Sequence, residues 1–284
     1  MRVAIFGPTG VLGKVLVPLL LDAGHVVRAV ARSGAKAQAL FPARVEIVEC
    51  DLLADDITTR LPNVIASCEA VLHLATSIPS DFSAPHAWDV NNRLRTEGVD
   101  HLLQACLAVG VKHYVQQSIT MAYPDRGAEW ITEDVPLSSN PTVITMENLV
   151  RAVAPDQLAW CIMRGGTFVG AGTFQAATIE RLQAGREIVP GDGSNFVSLI
   201  HAADMASAIV AALDRAPAGS TFNIVDEPPR NGAYLDRLAT SIGVPTPPRD
   251  PNLPLPPSWR CSNSAARQTL KWSPTHSLYP TKGS

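Results

Sequence analysis

Near the start of the chain, glycines recur at a spacing that suits phosphate binding: Gly7-Pro8-Thr9-Gly10-Val11-Leu12-Gly13. A short apolar stretch, Arg2–Phe6, precedes the run, and a helical one, Leu12–Ala23, follows it. In such a place the first glycine permits a tight turn and the second lets the backbone approach a pyrophosphate. The third lets helix and strand pack closely. The helix start adds N–H groups without partners and the positive end of its dipole. A glycine string also serves as a plain turn, but this one opens a βαβ unit of about thirty residues. The expected chemistry is dinucleotide binding by Gly7, Thr9, Gly10, Val11, Leu12 and Gly13.

The next strand, His25–Ala31, bears on which dinucleotide. NAD sites usually carry Asp or Glu there, about twenty residues past the loop, for the ribose 2′-OH. Here the chain reads Val30-Ala31-Arg32-Ser33, with no acid. The planar fork of Arg32 suits a 2′-phosphate, Ser33 adds a hydroxyl, and Lys36 is close in sequence. The competing reading of Arg32 is a solvated surface arginine. NADP(H) is expected ahead of NAD(H), with NAD left open.

These groups must be positioned by the alternation that follows. Strands are expected at Arg44–Glu49, Ala70–Leu74, His113–Gln117 and Ala159–Arg164, and a long helix at Asn92–Val109, stopped by Gly110. Strands separated by helices imply crossovers: an α/β, Rossmann-type doubly wound parallel sheet. After Gly165 the texture becomes rich in Gly and Pro, with a proline-rich loop at Pro245–Pro257 and one last helix expected at Arg260–Lys271. This divides the chain into a cofactor-binding domain, 1–168, and a smaller C-terminal substrate lobe, 169–284.

Composition narrows the function. With 46 % hydrophobic residues the chain can bury a large core, and a net charge of −3 without basic tracts gives no case for nucleic acid or an anionic membrane. Cys50, Cys68, Cys106, Cys161 and Cys261 are widely spaced, with no CxxC pair, which reads as reduced thiols in a cytoplasmic protein and no metal site. The apolar run Val15–Leu21 is too short to span a bilayer, and an immediate strand leaves no room for a signal peptide.

Taken in order, several segments resemble the extended short-chain dehydrogenase/reductase superfamily, in its NAD-dependent epimerase/dehydratase group. Asp51-Leu52 is similar to the adenine-contacting pair, and Val71-Leu72-His73-Leu74-Ala75-Thr76 to the fourth-strand motif that lines the cofactor. Asn92–Cys106 resembles the long helix, and Tyr114–Tyr123 the strand bearing the active-site serine. Met163-Arg164-Gly165-Gly166-Thr167-Phe168-Val169-Gly170 resembles the Arg-Pro-Gly run, and Ser198–Leu213, with His201 and Asp204, a later segment that packs the lobe. The resemblance implies cofactor contacts at Asp51, Leu52, Leu74, Ala75, Thr76 and Gly165, and a homodimer through two long helices.

The family's hydride-transferring members use a Tyr and a Lys four residues later, the Lys lowering the phenol pKa. The matching stretch here is Pro141–Glu147, with Thr142 and Met146 at those places, and no Tyr-x-x-x-Lys string occurs in the chain. The resemblance therefore points to Ser118, at the fifth strand's end, and to Thr120 and Tyr123 behind it as catalytic candidates. Each has a plainer reading: a capping hydroxyl for Ser118, a packed loop aromatic for Tyr123. His86, Trp88, Glu129, Glu133 and Asp134 read more simply as loop residues. Asn91 and Asn92 compete for the helix-bending asparagine role.

Three functions are compatible with this pattern. The first is an NADP(H)-dependent oxidoreductase of non-standard active site acting on a small organic molecule. The second is a redox-neutral epimerase, isomerase or lyase with a retained dinucleotide, for which Arg181, Arg186, Arg230 and Arg260 could meet a diphosphate. The third is a non-enzymatic NADP(H) sensor. Phe168, Val169, Phe174 and Phe196 suggest an apolar pocket.

Overall fold

The computed structural model describes residues 1–82, 84–254 and 265–266. The first half alternates as expected: β1 (Arg2–Phe6), α1 (Val11–Asp22), β2 (Val26–Ala31), α2 (Gly34–Gln38), β3 (Glu46–Glu49), α3 (Ile57–Val64) and β4 (Ala70–His73). Then come α4 (Asp89–Arg95), α5 (Glu97–Val109), β5 (His113–Ile119), a short β6 (Trp130–Ile131), α6 (Pro141–Arg151) and β7 (Ala159–Gly165). The remainder is β8 (Thr167–Val169), α7 (Phe174–Gln183), β9 (Val189–Pro190), β10 (Leu199–His201), α8 (Ala202–Arg215), β11 (Ser220–Ile224), α9 (Asn231–Ile242), β12 (Arg249–Asp250) and β13 (Ala265–Ala266).

Seven strands form one sheet in the order β11-β7-β5-β4-β1-β2-β3, with β1 parallel to both β2 and β4. The chain winds outward from β1 through β2 to β3, then restarts at β4 and winds the other way. The crevice at the C-terminal ends of β1 and β4 is therefore a topological switch point, where such sheets bind ligands. The central strands β1 and β4, and β2 after Val26, are buried and read as nearly continuous apolar runs, as sheets covered on both faces do.

Two compact units emerge, and each draws on separate stretches of chain. One comprises Met1–Ser118, Asn140–Met163 and Ala206–Thr221; the other comprises Ile119–Ser139, Arg164–Met205 and Phe222–Ser284. The second has its own core of Val169, Leu182, Val189, Val197, Leu199, Tyr234, Leu235, Leu238 and Ala239.

Two expectations need correction. The long helix at Asn92–Val109 is two helices, α4 and α5, meeting at Thr96 (φ −109°, ψ −73°). Thr96 Oγ1 donates back to Asn92 O at 3.0 Å, and its N–H is shared between Asn92 O and Arg93 O. Back-bonding threonines of this kind bend helices. Within the expected last helix, Ala265–Ala266 instead pair as a parallel strand with Trp130–Ile131. The rest of Arg260–Lys271 lies outside the described residues, as do Cys261 and the end of the proline-rich loop, residues 255–257.

Candidate cofactor cradle and active site

The glycine loop is shaped by close approach. Gly7 has φ +88°, and a Cβ there would lie 2.7 Å from Ala75 N, so the loop and the segment after β4 touch. A Cβ on Gly13 would lie 2.4 Å from Pro8 O. Gly10 caps α1 without a side chain, and the first turn carries no acid, so the positive helix end stays open. Backbone contact leaves no room for a Cβ at Gly7 or Gly13, and the tight loop they form, at a helix N-terminus on the switch point, fits a dinucleotide pyrophosphate. Thr9 and Val11 are half-buried, while Leu12 is buried beneath the loop.

At the end of β2, Arg32 and Ser33 are exposed. The Ser33 hydroxyl accepts the Lys36 N–H at 3.3 Å and caps α2. Glu49, at the end of β3, accepts the Gly34 N–H at 2.7 Å, so the acid at this corner is turned to backbone. Asp51 accepts the Leu53 N–H at 3.0 Å, and Leu52 is buried. Past β4, Leu74 is buried and Thr76 exposed, and Asn91 accepts the Ser77 N–H at 3.2 Å. Asn91, not Asn92, is thus the buried asparagine of the pair. Trp88 stacks on Phe82 at 5.6 Å, and His86 pairs with Asp89 at 3.0 Å on the surface.

The polar centre of the first unit joins β5 to α6. Asn140 (φ +71°) caps α6 by accepting the Val143 N–H at 3.1 Å, and Pro141 follows at the first turn. That start turns Val143, Met146, Glu147 and Val150 inward. Ser118 donates its hydroxyl to Glu147 Oε1 at 2.6 Å, both residues being fully buried. Arg151 donates to the other oxygen at 2.7 Å, so the carboxylate is charge-paired as well as hydrogen-bonded. Thr142 is half-buried and Met146 is buried one turn on.

Arg95, the last residue of α4, meets this helix: its guanidinium lies 3.5 Å from Met146 Sδ. Burial lowers its pKa to about 10, against the attraction of Glu147, so it is charged at neutral pH. On the sheet, Tyr114 and His73 both meet Gln116 Oε1, at 2.8 and 3.1 Å. Burial drives the His73 pKa down to about 4, and the Gln116 bond only partly opposes it. His73 is therefore a neutral imidazole. Glu147 and Arg95 are not among the expected site residues; only their burial marks them, whereas His73 lies within the fourth-strand motif.

In the second unit, Thr120 donates to Gly165 O at 3.4 Å. Tyr123 is fully buried; its hydroxyl donates to Asn223 Oδ1 at 2.8 Å and accepts from Arg164, which also stacks over the ring at 4.9 Å. Burial raises the Tyr123 pKa, with Arg164 opposing. Glu133 accepts the Asn223 N–H at 2.8 Å, so this loop acid belongs to the packing, while Glu129 and Asp134 are exposed. His201 accepts the Ala203 N–H at 3.2 Å and lies against Gly170, and Asp204 is buried.

The arginines considered for a diphosphate are separately engaged. Arg181 pairs with Glu187 at 2.5 Å, and Arg230 sits over the Phe196 ring at 4.0 Å; Arg186 is exposed and Arg260 lies outside the described residues. Val169 belongs to the second unit's core, Phe168 is half-buried and Phe174 is exposed. Cys50, Cys68, Cys106 and Cys161 are buried free thiols whose pKa values burial raises. Among the described residues no cluster suits a metal ion, and no helix is long and apolar enough to cross a membrane.

The sheet order and the glycine loop at its switch point define a Rossmann-type α/β fold. A model of the NAD dependent epimerase/dehydratase family matches residues 3–225, and the chain belongs to that family. A 3-diazoavenalumate denitrifying reductase of Streptomyces sp is 33 % identical over 304 residues, covering 97 % of each chain. Among solved structures, UDP-glucuronic acid 4-epimerase from Bacillus cereus, in complex with UDP-glucuronic acid and NAD, shares the fold with TM-score 0.80. It is 20 % identical, over 98 % of this chain and 95 % of that one. A dTDP-glucose 4,6-dehydratase from Streptomyces venezuelae with NAD bound has TM-score 0.76 and 21 % identity, over 88 % and 84 % of the two chains.

Proposed function

We propose that this chain is an NADPH-dependent reductase that directs hydride to an electrophilic carbon of a small organic substrate and needs no phenolic proton donor. One observation carries the reading. The cradle from Gly7 to Gly13 keeps each feature that a dinucleotide requires, whereas α6 holds Thr142 and Met146 at the spacing of the usual Tyr and Lys.

When bound, the dinucleotide supplies the hydride. The N–H groups of Val11, Leu12 and Gly13, with Thr9, hold its pyrophosphate. Arg32 and Ser33 take the 2′-phosphate, which favours NADPH over NADH. Asp51 and Leu52 meet the adenine, and Leu74, Ala75 and Thr76 line the path along β4. Ser118 is fully buried with its proton committed to Glu147, and it anchors β5 to α6. Tyr123, whose hydroxyl is taken by Asn223 and Arg164, holds its own unit together.

The reductase relative is named for a reduction that removes nitrogen from a diazo compound, and its likeness over the full chain supports the same class of substrate here. At a carbon bearing a diazonium group, a C–H bond forms from the hydride as the C–N bond breaks. The C–N electron pair leaves with dinitrogen. Hydrogen and electrons arrive together and no proton is consumed, so such a step has no use for a Tyr–Lys pair. The test is to mix the protein with NADPH and an ortho-diazo derivative of 4-hydroxycinnamate. One NADPH oxidised per dinitrogen released is expected; turnover without loss of NADPH would favour the redox-neutral reading instead.

A further inference from the structure

We infer that Arg95 is the carboxylate-binding residue of this active site, so that the substrate is an organic acid anion; this deepens the reductase reading and rests on it. Arg95 is only 6 % exposed, yet among the described residues no carboxylate lies within ion-pair distance of it. Its one hydrogen-bond partner there is the Met146 thioether, a weak acceptor. Glu147 is the charge that acts on it, but that carboxylate already serves Arg151 and Ser118. His73 is uncharged, and its buried Nε2 has no partner among the described residues. The Arg151 side chain is 36 % exposed, so of Arg95, Glu147 and Arg151 only the first two are buried, and Glu147 already holds Arg151.

A buried charge without a partner is costly, and proteins retain one where a ligand supplies the counter-charge. Arg95 contributes none of the sealed, unpartnered nitrogens found among the described residues, so the rest of its guanidinium opens onto space that solvent reaches. Its place matters too. It ends α4 at the Thr96 break and lies against the residue at the usual lysine position, so the site keeps a cation, moved from α6 to α4. A lysine there would serve a phenol; a guanidinium fork is instead matched to a planar carboxylate, which it binds through two parallel bonds.

The test is calorimetric titration with trans-cinnamate and with its neutral amide, cinnamamide, with and without saturating NADP⁺. Wild type should bind cinnamate at least about tenfold more tightly than the amide. Arg95→Gln should lose about ten- to hundredfold in cinnamate affinity while its binding of cinnamamide and of NADP⁺ stays unchanged. Arg95→Lys should recover part of the loss. Arg95→Met is the folding control: it should melt at or above the wild-type temperature, because it removes an under-paired buried charge. Equal binding of acid and amide, or no effect of Arg95→Gln on cinnamate, would overturn the inference. So would an equal loss of NADP⁺ binding, which would place Arg95 on the dinucleotide. If no dinucleotide binds at all, the reductase reading fails alone, and the NADP⁺-free titrations still decide the role of Arg95.

Discussion

Ser118 and Glu147 form a fully buried hydrogen bond of 2.6 Å that ties the sheet to α6, with Arg151 closing the other side of the carboxylate. Replacing Glu147 with Gln should leave Arg151 without its anion and weaken the Ser118 bond, at a cost of about 3 kcal/mol. Ser118→Ala removes one bond to a charged group and should cost about 2 kcal/mol. Urea unfolding of both variants checks the ordering; equal stability of Glu147→Gln and wild type would mean the triad is not formed.

The two outer glycines should respond differently from the middle one. A Cβ on Gly13 meets Pro8 O at 2.4 Å, so Gly13→Ala should destabilise the fold by about 1–3 kcal/mol and abolish NADPH binding. Gly10, at φ −72° with its nearest neighbour 3.4 Å from a Cβ, should tolerate Ala in the fold. Its variant should lose NADPH affinity nevertheless, because the methyl group would stand where the phosphates approach. Thermal melting and nicotinamide fluorescence separate the two effects.

On the proposed reading, Arg32 and Ser33 select the cofactor. Arg32→Ala should weaken NADPH binding by about ten- to hundredfold and leave NADH binding within about twofold. A matching loss for both cofactors would show that Arg32 does not meet the 2′-phosphate.

How far the sequence foretold this molecule depends on the range of the interaction. β1, the glycine loop, α1 and β2 were legible because the signals lie within one short βαβ stretch: apolar strand, turn glycines, helical period. The break at Thr96 was not, since a periodic apolar face runs straight through it and only the back-bond to Asn92 reveals the bend. The site was half legible. Ser118 could be placed on its strand, but its partner lies 29 residues away, in a helix where attention falls on Thr142 and Met146. Arg95 reads as an ordinary helix arginine until its burial is known.

Tyr123→Phe separates packing from chemistry. Loss of the hydroxyl leaves Asn223 and Arg164 short of a buried partner and should cost about 1–3 kcal/mol. Turnover with NADPH should stay within about threefold of wild type after correction for folded protein, because the proposed hydride step draws no proton from the phenol. A loss of about a hundredfold or more would make Tyr123 the acid.

His73 should give the fold a pH dependence of known sign. Its folded pKa, lowered to about 4, lies below the ordinary value of 6.5, so the unfolded chain binds more protons between those values. Its contribution to stability is therefore complete above pH ~6.5 and falls as the pH drops toward 4, by up to about 1.4 kcal/mol per unit. Urea unfolding at pH 5 and pH 7 should show a smaller difference for His73→Asn than for wild type.

Isotopic labelling bears on the hydride step itself. The protein is incubated with NADPH deuterated at nicotinamide C4, on either face, and the ortho-diazo derivative of 4-hydroxycinnamate, in ordinary water. One deuterium is expected at the carbon that lost nitrogen, from one of the two labelled faces, with one NADP⁺ formed per product. Hydrogen from water at that carbon with both labels, or product formed without NADP⁺, would contradict direct hydride delivery.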